Sequence, residues 1–355
     1  MEQTAVEKKF GKYVMASMIT MFLQSAYSMI DGLFVSNLIG DTALSAVNVA
    51  WPVIAVVTAI GTGVGCSGAV MMSTKQGEGK NEESNIVRAN VILALLASSI
   101  VVTILFLVLL TPLLKLMGAE GELLRLSQIY GRVMLTGGVL QILSCGLTPL
   151  LRNDNRAVSA MMIMVGGLFA NLGLDFVFMY VFHMGIGGAA GASLCAQLFT
   201  TLCCLIILGT KKTDPIRFSQ FMIRKEYWKK IFKTAVSPFG ISLTPSLLIL
   251  YHNVACLKFG GDLAVNAYAL ISSTVGSYRV LLIGVAEGIQ PLASYAYGAH
   301  DFHAIRKIRN KAIITAMSVS FFLFIFTIAT AWFYPAIYGY EGEAAELGYH
   351  AVMVT

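Results

Sequence analysis

Charge is what this sequence has least of. Asp, Glu, Lys and Arg make up 12% of 355 residues, about half the roughly 25% of a soluble domain. That excludes the two ordinary soluble domains its length would otherwise suggest. Cysteine and histidine are also scarce, at six and five residues. The cysteines (Cys66, Cys145, Cys195, Cys203, Cys204, Cys256) all lie in apolar stretches without a CxxC pair. A disulfide framework is therefore excluded, and buried free thiols are expected. His183, His300, His303 and His350 fall in or near loops without metal-ligand spacing. No Ser/His/Asp or Cys/His set suits nucleophilic chemistry, which argues against an enzyme. The net charge of +6 comes from bases scattered periodically between apolar runs, so no nucleic-acid surface is expected. The polar start, MEQTAVEKKFGKY, leads to no small-residue cleavage site, and no removable signal peptide is expected.

What is abundant is apolar: 57% of residues, with a mean hydropathy of +0.74. A hydrocarbon core about 30 Å thick takes roughly 20 helical residues. On that measure the fold class is an all-α polytopic membrane protein. Helices are predicted near 13–36, 43–72, 87–111, 126–150, 157–181, 188–209, 234–257, 263–296 and 311–336, with a tenth starting near Glu346 and unfinished at Thr355. Pro52, Pro149, Pro238, Pro245 and Pro291 are candidate kinks.

A gapless shift of 221 lays the second part of the chain on the first. Gly261 falls on Gly40, Asp262 on Asp41, Ala264 on Ala43 and Ala267 on Ala46. The same shift puts Lys229, Lys230 and Lys233 on Lys8, Lys9 and Lys12, and Gly284, Gly298 and Arg309 on Gly63, Gly77 and Arg88. The polar stretch around 210–233 is the natural linker, giving a first lobe at 1–209 (helices one to six) and a partial second lobe at 234–355. Six helices before the linker make the repeats parallel, related by an axis along the membrane normal. Twenty Lys and Arg fall at one end of the helices and three at the other, which predicts a cytoplasmic N-terminus.

Three carboxylates lie inside apolar runs: Asp31, Asp175 and Glu287. An intramembrane acid is costly to insert and usually faces the bundle interior or a water-filled cavity. Asp31 and Asp175 each lie 18 residues into an outward-running helix, roughly 27 Å from its start. They should therefore share one level. Asn171 precedes Asp175 by four residues, on the same helical face, and Ser193 reaches a similar depth. Glu287 lies near the cytoplasmic end, where solvation or pairing with Arg279 is expected. His252 aligns with Asp31 under the shift, and its plainest reading is a satisfied core histidine. GVGCSG (63–68) matches a dinucleotide-loop pattern but sits in an apolar helix with no preceding strand, so close helix packing is expected there.

At this point the sequence resembles the multidrug and toxic compound extrusion (MATE) transporters. The resemblance rests on DGLFVSNLIGDTALSAVNVAWP, LTPLLRNDNRAV, NLGLDFVF, GIGGAAGASLCAQ and EGIQPLASYAYGAHD, which together span nearly the whole chain. It implies twelve helices in two six-helix lobes around a central cleft, exporting organic cations and amphipathic compounds against H⁺ or Na⁺. It also implies that Asp31, Asn171 and Asp175 form the coupling site, able to hold a proton or Na⁺, with Ser193 where the family often has Thr. His252 and Glu287 are secondary candidates. No cofactor is implied beyond the coupling ion. The expected setting is the inner membrane of a prokaryote, as a monomer in the lipid bilayer with a small-molecule substrate. Helix seven lacks the acid of a second sodium site, and the second repeat is expected to be incomplete. Alternatives are a lipid-linked oligosaccharide flippase, against which the scarcity of intramembrane cations argues, or a membrane enzyme or scaffold.

Overall fold

In the computed structural model, residues 3–210 and 220–330 are described, and all regular structure among them is helical. The order is α1 (Gln3–Ile39), α2 (Asp41–Gly77), α3 (Asn81–Leu116), α4 (Gly121–Thr136), α5 (Gly138–Asn153), α6 (Ala157–Asp175), a π-helical turn (Phe176–Val181), α7 (Gly185–Gly209), α8 (Lys225–Gly298) and α9 (Phe302–Thr330). Six of these are long and apolar enough to cross a bilayer, and the bent pair α4–α5 makes a seventh. The predicted tenth helix lies outside the described residues.

Local sequence explains the breaks. Gly40 separates α1 from α2 at φ 118° and ψ 166°, a region essentially closed to residues with a Cβ. The predicted helix at 126–150 is instead two helices meeting at 58°. Gly137 lies between them, and a Cβ there would collide with Leu194. The side-chain amide of buried Gln141 donates to the Met134 carbonyl, whose usual helical partner the bend removes. A side chain inserted into the backbone ladder is an ordinary cause of a sharp bend.

The predicted helices at 234–257 and 263–296 form one unbroken helical run, Lys225–Gly298. A straight helix of 74 residues would measure about 110 Å, and this one is not straight. His252 stacks on Tyr268 with ring centroids 5.0 Å apart, although sixteen residues of straight helix span about 24 Å. The chain therefore reverses between them, and α8 is a hairpin with two arms.

Both arms pack on the first half at the end of the bundle where Lys and Arg collect, here called the basic end. The first arm enters the main core: Ile231 and Ala235 join it, with Phe221, Tyr227 and Trp228 packed against it. Buried Asn90 on α3 clips the approach to this arm. Its amide donates to the Met222 carbonyl at 3.2 Å, and its Oδ1 accepts the Arg224 N–H at 2.9 Å. Ser67 on α2 donates to the Ile231 carbonyl at 2.8 Å.

The second arm crosses α1 and α2 through glycines. A Cβ on Gly284 would lie 2.8 Å from the Met18 Cα, and one on Gly288 2.6 Å from the Val14 Cα. The contacts of α2 mirror these: a Cβ on Gly63 would lie 3.0 Å from the Ala235 carbonyl oxygen and 3.2 Å from the Phe239 Cβ. Gly284, Ala235 and Phe239 are Gly63, Val14 and Met18 shifted by 221. The duplication read in the sequence is thus a pseudo-two-fold seam in space. GVGCSG serves the expected close packing, with Gly65 against Gly146 and Gly68 against Val91. The six thiols are free, but only Cys66 and Cys204 are buried and Cys195 is exposed, because helix faces toward lipid carry cysteine too.

Candidate functional site

Asp31 and Asp175 come from different helices and their carboxyl groups meet within hydrogen-bonding reach. Asp175 is the last residue of α6 and is fully buried. Asn171, one turn earlier and also buried, donates its amide to Asp175 Oδ2 at 3.0 Å, as the four-residue spacing requires. Asp31 is partly exposed, and its Oδ1 is buried without a hydrogen-bond partner among the described residues. Matched depth, inferred from counting residues, is therefore matched position. Two ionised carboxylates this close repel strongly.

Two features of this site have no counterpart in the sequence reading. Tyr130 on α4 is buried and close enough to feel the charge of both aspartates. It lies on α4, ahead of a bend that an uninterrupted helix 126–150 does not reveal. The π-helical turn begins immediately after Asp175. Such widened turns are frequent at functional sites, and LDFVFMYV contains no residue that announces one. Ser193 is half-buried on α7, and no hydrogen bond joins it to the carboxyl pair among the described residues.

The secondary candidates go elsewhere. His252 is exposed rather than in the core. Its ring bonds the Leu248 carbonyl at 2.8 Å and stacks on Tyr268, so the hairpin satisfies it. Glu287 pairs not with Arg279 but with Arg152, Nη1 to Oε2 at 2.5 Å. Counting along the chain placed Arg152 among loop bases, whereas α5 runs on to Asn153 and buries it. The rest of LRNDN is equally committed. Asn153 donates to the Pro149 carbonyl at 3.0 Å. Asp154 Oδ1 accepts from Gln76 at 3.0 Å and lies 3.6 Å from fully buried Arg88. Asn155, in the left-handed region at φ 64°, accepts from the Tyr13 hydroxyl at 2.7 Å.

No group of three or more His, Cys, Asp or Glu suited to a metal ion occurs among the described residues.

Comparison with known proteins places this geometry. The chain is 24% identical over 320 residues to the multidrug export protein MepA of Staphylococcus saprophyticus, covering 90% of this chain and 70% of that protein. Against MepA of Staphylococcus aureus strain COL the identity is 25% over 325 residues, covering 90% and 69%. The fold matches a multidrug resistance MATE family transporter in its outward-facing conformation with a TM-score of 0.92, at 24% identity, over 98% of this chain and 78% of that one. A MOP superfamily transporter from Pyrococcus furiosus matches with a TM-score of 0.90 at 25% identity, over 98% and 77%. The MatE family model matches residues 16–177 and 241–355. With paired intramembrane carboxyls, a duplicated helical bundle and a family match over most of its length, this chain belongs to the MATE family of multidrug efflux transporters, which are not enzymes.

Proposed function

We propose that this protein exports organic cations or other amphipathic compounds in exchange for H⁺ or Na⁺, by alternating access between two lobes. The Asp31–Asp175 pair is the coupling site, with Asn171 holding Asp175 and Tyr130 completing its wall. The observation that carries this reading is the meeting of two carboxyl groups from separate helices in the interior of the first half. A site that needs a proton or a cation to offset its charge is one whose occupancy can bias a conformational equilibrium. The basic end faces the cytoplasm of a prokaryotic cell, an orientation that the distribution of Lys and Arg supports, and the protein works as a monomer in the lipid bilayer. The multidrug export relatives support amphipathic small molecules as substrates.

The test is efflux of ethidium from proteoliposomes under separately imposed proton and sodium gradients. Asp31→Asn and Asp175→Asn should each abolish gradient-driven efflux while leaving membrane insertion intact. Efflux at the wild-type rate in both variants would remove the coupling assignment.

A further inference from the structure

The seam at the basic end repeats its glycine contacts under the 221 shift, and one charged contact departs from that symmetry. Backbone meets backbone at Gly63, Gly77, Gly284, Gly288 and Gly298, and hydroxyl meets carbonyl where Ser73 donates to Pro291 at 3.2 Å. One ion pair that crosses the seam joins Arg152 on α5 to Glu287 on the second arm of α8. It falls between two close backbone approaches, because Gly284 and Gly288 flank Glu287 on the strip that faces α1. It also breaks the internal symmetry. Shifting Glu287 back by 221 gives Cys66, an uncharged thiol that lies within electrostatic reach of both Arg152 and Glu287. The duplicated position thus carries an acid in one repeat only.

We propose that Arg152 and Glu287 are positioning residues for transport, forming a charge latch that makes the shut and open forms of the basic end two discrete states. Arg152 is almost fully buried, with its side chain 7% exposed. Shut, Arg152 is buried with its charge paired, and Glu287 meets it from the seam's edge with its side chain 24% exposed. Fully open, each charge is hydrated by the water that enters between the lobes. A half-open seam has neither arrangement: Arg152 would be unpaired and still dry, which is the costly condition for a buried charge. The pair therefore penalises intermediates more than either end state. The small-residue strip supplies close fit, and the ion pair supplies the discrimination. This inference rests on the alternating-access reading of the chain.

The experiment is a distance measurement across the seam in full-length protein in liposomes. Spin labels go at Glu82→Cys and His303→Cys, both exposed positions at the basic end, in a background with the native cysteines replaced. Glu287→Gln should shift the shut-to-open ratio toward open on the order of tenfold, a change typical of strongly coupled pairs. Arg152→Glu should do the same. The charge swap Arg152→Glu with Glu287→Arg should return the ratio to near wild type and recover ethidium efflux. Glu287→Asp, which keeps the charge, should stay close to wild type and guards against loss of fold in the harsher variants. Unchanged distances in Glu287→Gln, or a swap that fails to recover what both single changes lost, would overturn the latch. A seam that responds as described in a protein with no ethidium efflux would leave the latch standing and remove the proposed substrate.

Discussion

Gly77 and Gly298 touch across the seam, and each collides with its partner's side if given a Cβ. On Gly77 the collision is with the Tyr295 carbonyl oxygen, and on Gly298 with that of Thr74. Gly298 is Gly77 shifted by 221, and Tyr295 is Thr74 shifted by the same amount. The contact is therefore its own mirror image, lying on the axis that relates the two repeats. A duplicated chain meets itself most closely where the same small residue stands in both copies.

This symmetry makes a direct prediction. Gly77→Val and Gly298→Val should have effects of the same sign and similar size, because each forces the same two backbones apart. Overpacking of this kind costs about 1–3 kcal/mol, drawn here from the shut state of the basic end alone. Both variants should insert normally but lose ethidium efflux, and cysteine cross-links across the seam should form more slowly. Opposite effects from the two substitutions would show that the repeats do not share the seam equally.

Much of this was legible from residues alone. The constant shift of 221 needs only identities at fixed spacing, and the seam glycines Gly63, Gly77, Gly284 and Gly298 are among those identities. The shared level of Asp31 and Asp175 needs only helical rise and a common starting plane. What could not be read was anything set by bending or by reversal. The α4–α5 bend depends on Gly137 against Leu194 and on Gln141 reaching back to Met134, contacts between residues whose periodicity looks unbroken. Spacing along the helix points to Arg279 as the partner of Glu287. The real partner, Arg152, is 135 residues away, and no one-dimensional pattern connects them. The hairpin in α8 shows the reverse case: a break predicted between 257 and 263, with helical backbone continuing through it.

Tyr130 extends the carboxyl pair, and its role can be separated from theirs. Tyr130→Phe keeps the buried ring, and with it the packing of α4, while removing a hydroxyl within electrostatic reach of both acids. A contribution of about 1 kcal/mol is roughly fivefold in rate, so efflux should fall by less than about tenfold, much less than with Asp31→Asn or Asp175→Asn. Efflux rates at matched expression, measured under one imposed gradient, check this. A loss as complete as that of the aspartate variants would make the hydroxyl an obligatory member of the coupling site.

Asn90 gives a prediction outside the carboxyl site. Its side chain is fully buried and bonds the backbone on both sides of the approach to α8, at Met222 and Arg224. Asn90→Leu leaves a backbone donor and a backbone acceptor without that partner, at a cost of about 1–3 kcal/mol for each group left buried. The segment should detach locally before the bundle loses its fold, since local opening needs less free energy than global unfolding. Tryptic cleavage after Arg224 and Lys225, in vesicles that expose the basic end, should accelerate severalfold over wild type, with the thermal midpoint of the whole protein moved little.

The bend between α4 and α5 can be tested at both of its causes. Gly137→Ala places a methyl group into the Leu194 side chain, and Gln141→Leu removes the donor that satisfies the Met134 carbonyl. The first is an overpacking change and the second strands a buried acceptor, and each should cost about 1–3 kcal/mol. Both act on one local geometry, so the double variant should cost less than the sum of the singles, as neighbouring sites that share one structural feature do. Thermal midpoints of the two singles and the double in detergent measure this directly. Because Tyr130 lies on the α4 side of the bend, the same variants should also weaken efflux beyond what lost stability explains. Strict additivity in stability with unchanged efflux would separate the bend from the carboxyl site.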